Sequence, residues 1–241
     1  MTGPELYALC KSLADDPDES FMSKQDWANA LQMGYASYQQ YVGDSIPEIY
    51  EKPYDFALSA QSEKDFNGIL FGATPSVGKV AYRITKIHTV NVGQQPDFGL
   101  WLQPAATMEQ LWNITSTTGY GNFNPGKWCL QGTMMKYNLQ LTGNYRLYYL
   151  PNGPTAAEWL TLITTPASFV DNTPDFAQQC IAFFAYSQYA IKDWSQNDQL
   201  QSKFDQLLRQ LDQWVAKNRT GDAHRWVQPG RQGLQGGGGW W

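Results

Sequence analysis

Apolar positions recur every three or four residues near both ends of the chain and every second residue through its middle, which predicts helices flanking a β-rich region. The first helix is expected over Pro4–Leu13, with Leu6, Leu9, Cys10 and Leu13 on one stripe. The acidic run Asp15-Asp16-Pro17-Asp18-Glu19 breaks it, as a solvated turn. Ser23-Lys24-Gln25-Asp26 reads as a capping box. Trp27, Leu31, Tyr35, Tyr38 and Val42 then mark one face of a helix running to about Tyr41 or beyond.

From Pro53 to Pro154 the pattern is one of strands and turns. Val80 to Val90 is rich in β-branched residues, which suit a pleated surface. Tyr137, Leu139 and Leu141 alternate, as do Tyr145, Leu147 and Tyr149, and Gly143-Asn144 between them is expected to form a two-residue hairpin turn. A short helix is expected around Met108 to Trp112. Helices return at Thr173-Pro174, where Thr173 can cap and Pro174 suits the first turn. Phe176 to Trp194 is apolar almost all round, through Cys180, Ile181, Phe183, Phe184, Tyr186, Tyr189 and Ile191, so that helix should be buried on several sides. The last helix, starting at Ser195 or Asn197, carries Leu200, Phe204, Leu207, Leu208, Leu211, Trp214 and Val215 on one stripe.

After Asn218 the periodicity stops. The expected fold is therefore α+β: a discontinuous helical core (1–53 and 155–218), a β-rich insertion (54–154) and a flexible C-terminal docking arm (219–241). The arm ends in four glycines followed by Trp240 and Trp241, and Arg219, Arg225 and Arg231 make it locally basic. Two indoles are costly to leave in water, and each is worth about 2–3 kcal/mol when buried in a pocket. One arm alone would bind weakly, because its glycines must be ordered. A ring of identical arms on one platform gains through effective concentration. The competing reading is a tail that is simply disordered.

Composition sharpens this picture. The 241 residues suit one large domain or two small ones, and 42% of them are hydrophobic, enough for a core. Aromatics reach 15% while charged residues are only 16%, a surface composition suited to being covered by neighbours. The net charge of −5, with no basic run before the arm, argues against tight nucleic-acid binding. Cys10, Cys129 and Cys180 are odd in number and far apart, so no disulfide framework is expected. The opening MTGPELYALCKSL lacks the pattern of a secretory signal, and no window reaches the apolar length of a membrane span. The sequons at Asn113 and Asn218 therefore read as chance, and the expectation is a soluble protein made in the cytosol.

Candidate chemistry is sparse. Gly72 to Val80 resembles a phosphate-binding loop, but five residues separate its glycines and Val80, not Ser or Thr, follows Lys79. A plain turn is expected there. The acidic run lacks the glycine and distal Glu of a calcium loop. His88 and His224 have no ligand-spaced Cys or carboxylate neighbours, and no Ser sits in a nucleophile elbow. The expectation is a protein that is not an enzyme and uses no cofactor or metal. The aromatics of the β-region allow one alternative, a carbohydrate-binding virion or surface module. Trp101, Trp128, Tyr137, Tyr145 and Tyr148 could stack on sugar rings, although alternating ones belong mostly to the core.

The segment GKWCLQGTMMKYNLQLTGNYRLYYLPNGP (126–154), the strand KVAYRITKIHTV before it and the helices of 173–218 after it resemble head-to-tail connector (portal adaptor) proteins of tailed bacteriophages. The helix from Ser23 to Tyr41 fits the same plan, whereas residues 54–125 depart from it. The resemblance implies a ring, commonly a dodecamer, seated under the portal in the virion and extending the DNA channel. Tail or nozzle proteins would dock on it, and packaged DNA would pass through without specific binding. It would assemble in the host cytoplasm and need no membrane. In such proteins the C-terminal segment embraces the portal. Here that role falls to Trp214 through Trp241, with Trp214, Arg219, Arg225, Trp226, Arg231, Trp240 and Trp241 as the portal-docking residues.

Overall fold

The structure, a computed structural model, describes residues 1–16, 18–90, 101–112, 126–166, 170–189 and 198–223. The fold is α+β. In chain order its elements are α1 (Gly3–Leu13), α2 (Lys24–Ser45), β1 (Lys52–Asp65), β2 (Ala81–Thr89), β3 (Gln103–Pro104), α3 (Met108–Trp112), β4 (Lys127–Gln131), β5 (Met134–Pro151), α4 (Ala156–Thr164), α5 (Asp175–Tyr189) and α6 (Asp198–Ala223). Two compact units result. One joins Met1–Ile49 to the chain from Gly153 onward, and the other is Tyr50–Asn152.

In the helical unit three helices begin with reciprocal capping boxes: Thr2 with Glu5, Ser23 with Asp26, and Thr155 with Glu158. Each satisfies amide groups that a helix start leaves orphaned. α5 packs on α1, α2 and α6, and α4 packs on α1 and α2. Leu6, Trp27, Leu31, Tyr38, Trp159 and Ile181 are fully buried between them. The Tyr35 ring meets Trp159 edge-on at 5.6 Å, and Phe183 stacks on Phe204 at 5.5 Å. α2 and α5 touch at backbone level. A Cβ on Gly34 would lie 2.5 Å from the Ala185 nitrogen. Cys10 and Cys180 are buried free thiols, and burial pushes the Cys180 thiol up to about 12.

Several local expectations change. The acidic run is a turn with Asp15 and Asp18 exposed, as expected, but Asp16 is buried. Its carboxylate accepts from the backbone N–H groups of Ser20 (2.7 Å), Phe21 (3.2 Å) and Met22 (3.1 Å) and so closes the α1–α2 loop. The Thr173 hydroxyl accepts from the buried Tyr38 phenol at 2.7 Å. The Gln178 amide donates to the carbonyls of Asp171 and Thr173 and ties down the start of α5. α4 is an element that the periodicity did not predict. α6 continues through Ala223, beyond the expected end at Asn218.

In the β unit the 18-residue β5 is the spine. β1 runs antiparallel along one side of it, while β4 and β2 share the other side, and β3 adds parallel to β4. The hairpin expected at Gly143-Asn144 does not form. β5 passes straight through, pairing Gly143 with Leu58 and Asn144 with Ala57. Gly143 (φ 126°) and Ala60 (φ 51°) sit where the β1–β5 register shifts, so the glycine serves a bulge within a strand, not a turn. The two-residue turn is Gly132-Thr133, between Gln131 and Met134, and Gly132 supplies the positive φ (63°) it needs. One sheet face packs Phe56, Leu58, Tyr145, Leu147 and Tyr149 against Phe66 and Leu70 of the β1–β2 connection.

Candidate functional site

The other face of the sheet carries polar and aromatic side chains in register. Asp55 of β1 lies opposite Arg146 of β5, Arg146 lies opposite His88 of β2, and His88 bridges to Trp101. The four form one row across four chain segments. Its first pair is a fork. Arg146 Nε donates to Asp55 Oδ1 at 2.6 Å and Nη2 donates to Oδ2 at 2.9 Å. Its second pair is aromatic, with the His88 and Trp101 rings 4.6 Å apart. Tyr148, two residues beyond Arg146 on the same face, stacks on His88 at 5.8 Å and 21°. In the next row Lys86 pairs with Glu51 at 3.3 Å.

Exposure rises toward both ends of the row. His88 is only 3% exposed, whereas Trp101 is 46% exposed and the Asp55 side chain 60%. His88 Nδ1 lies 2.8 Å from the Thr89 carbonyl oxygen. A carbonyl can only accept, so Nδ1 carries the proton there. Trp101 is held by its neighbour Leu102, which is buried and donates its N–H to the Ile87 carbonyl at 2.8 Å. The arrangement offers a stiff flat ring, a fixed carboxylate and a fixed guanidinium, which are the parts of a binding surface.

The hydrogen bonds from Arg146 hold the Asp55 carboxyl below the usual carboxylate range. The folded value therefore lies below the unfolded one. The pair stabilises the fold above the ordinary carboxylate range, and that contribution is lost as pH falls through the depressed value. It is small, because an exposed pair is screened by water. Urea denaturation of wild type and Asp55→Asn is expected to show a stability gap at neutral pH that closes in acid. A gap independent of pH would remove the ion pair from the account.

The remaining sequence candidates are distributed as follows. Trp128, Tyr137 and Tyr145 are buried in the sheet core, so they cannot stack on a ligand, while Trp101 is exposed and Tyr148 half-buried. Trp214 is half-buried on α6 and Arg219 lies further along the same helix. Arg225, Trp226, Arg231, Trp240 and Trp241 lie outside the described residues, as does His224. The Gly72–Val80 segment is a turn in which Gly78 N–H bonds to the Pro75 carbonyl, and it leads into β2. Among the described residues no His, Cys, Asp and Glu cluster could hold a metal, and no helix is long and apolar enough to cross a membrane. Sequence reading singled out neither Asp55 nor Arg146. They lie ninety-one positions apart, and only strand register brings them together. No protein-family model matches this chain, and no curated protein matches it significantly.

Proposed function

We propose that this protein is a structural component of a tailed-phage particle, a connector subunit that assembles into a ring, joins the portal to the tail and extends the DNA channel. The observation that carries this reading is the plan of the chain. Two stretches separated by a hundred-residue β unit make one helical unit, as the resemblance implies, and the chain leaves it through the long α6. The low charge and high aromatic content suit a subunit covered by neighbours on several sides. The acidic balance suits a channel through which DNA must slide, since a basic lumen would hold the phosphates. The partners are the portal ring, further copies of the chain and tail or nozzle proteins. Its place is the head–tail junction of the virion, reached from the host cytoplasm during assembly.

Electron microscopy of the full-length protein mixed with portal rings from the same particle tests this. The expected image is a second ring, coaxial with the portal and sharing its symmetry or a divisor of it. Portal rings that stay bare at saturating protein would reject the connector role.

A further inference from the structure

The row from Asp55 to Trp101 has no part in the connector reading, yet its side chains are set with unusual care. A tryptophan with nearly half its surface in water normally moves freely. Trp101 is restrained by contacts instead: its ring centroid lies 4.6 Å from that of His88, and the N–H of the adjoining buried Leu102 bonds to the Ile87 carbonyl. Tyr148 adds a third ring to the cluster, tilted to the indole with centroids 6.3 Å apart and stacked on His88. The polar end is equally fixed, since both carboxylate oxygens of Asp55 engage Arg146 and yet the side chain stays 60% exposed. A carboxylate oxygen with one partner retains a lone pair for a hydroxyl donor.

The charges choose the ligand. The carboxylate and guanidinium neutralise each other, so the row presents no net charge to attract a phosphate or an ammonium group. With a net charge of −5 on the chain, a phosphate backbone is disfavoured as well. An uncharged polyhydroxyl ligand matches both ends. The C–H face of a pyranose packs on the indole and its hydroxyls donate to the carboxylate. Three inter-strand spacings separate the ends of the row, about 14 Å, the length of a short oligosaccharide. We propose that this face binds a neutral oligosaccharide, with Trp101 as the stacking platform and Asp55 as the hydroxyl acceptor fixed by Arg146.

The full-length protein would be titrated with a panel of neutral trisaccharides (maltotriose, cellotriose, mannotriose, xylotriose and N,N′,N″-triacetylchitotriose), using calorimetry and saturation-transfer NMR. At least one is expected to bind through its ring C–H protons. Trp101→Ala should lower that affinity about tenfold or more, the loss typical of one stacking ring. Trp101→Phe should lose less, and Asp55→Asn, at an exposed position, should weaken binding several-fold without unfolding the chain. Trp112→Ala, which removes an indole 56% exposed on α3, should change nothing. The proposal is overturned if no panel member binds, if binding survives both Trp101→Ala and Asp55→Asn, or if single-stranded DNA binds through these residues instead. None of these results bears on portal attachment, which is read separately by microscopy.

Discussion

Gly34→Val is expected to destabilise the helical unit by at least about 3 kcal/mol, the upper end of what overpacking a core costs. Helix propensity opposes this by only a few tenths of a kcal/mol, because valine is a slightly better helix former than glycine. Geometry decides the outcome. A Cβ at Gly34 would meet the Ala185 nitrogen at 2.5 Å, its Cα at 2.8 Å and its Cβ at 2.9 Å. Two of those atoms are backbone of a helix that is itself packed on α1 and α6, so they cannot swing aside. The clash can be relieved only by moving α2 away from α5, which opens the interface holding Tyr38, Ile181 and Phe183. Because domains are stable by only about 5–15 kcal/mol, such a loss is a large part of the whole. Ala185→Gly in the same chain should restore only part of it, since the nitrogen and Cα remain. Thermal and urea unfolding of the three variants would measure this. An unchanged midpoint for Gly34→Val would show that the α2–α5 backbone contact does not limit the stability of the helical unit.

What the sequence disclosed depended on whether the signal was local. α2 was legible because Ser23, Asp26 and the apolar face from Trp27 to Val42 all fall within one helix. α4 was missed: Thr155-Ala156-Ala157-Glu158 is a capping box like that of α2, but the apolar stretch behind it is too short for periodicity to flag. The false hairpin had a warning in its own pattern. A two-residue turn at 143–144 would place Tyr137 and Leu141 on the face opposite Tyr145, Leu147 and Tyr149. An uninterrupted alternation fits one long strand instead, and Tyr137, Tyr145, Leu147 and Tyr149 do share one core. The Asp55–Arg146–His88–Trp101 row was not legible. Its members come from four separate segments, and registers broken by bulges cannot be read from spacing. Trp101 was singled out for its residue type, but nothing in the sequence distinguished it from Trp128, which is buried.

Removing His224–Trp241 is expected to leave a folded protein that no longer co-sediments with portal rings. Folding should survive because the deletion starts just past α6, whose buried residues Phe204, Leu207, Leu211 and Val215 all remain. Far-UV circular dichroism and the unfolding midpoint should therefore match wild type. Binding should fail because the removed segment holds Trp226, Trp240, Trp241, Arg225 and Arg231. Each indole would contribute about 2–3 kcal/mol on burial. Against this stands the entropy of fixing four consecutive glycines, at about 1–2 kcal/mol per residue. The two nearly cancel in a single copy, so a lone subunit should hold the portal weakly even with its arm intact. In a ring, one docked arm raises the effective concentration of the next, and small surpluses multiply. The loss on truncation should therefore be steep and cooperative, and Trp240→Ala with Trp241→Ala should reproduce most of it. Arginine contacts add a salt-sensitive share, so residual binding of the tryptophan variant should fall further as ionic strength rises. Undiminished co-sedimentation of the truncated chain would place the portal contact elsewhere on the subunit and leave the arm without the role assigned to it.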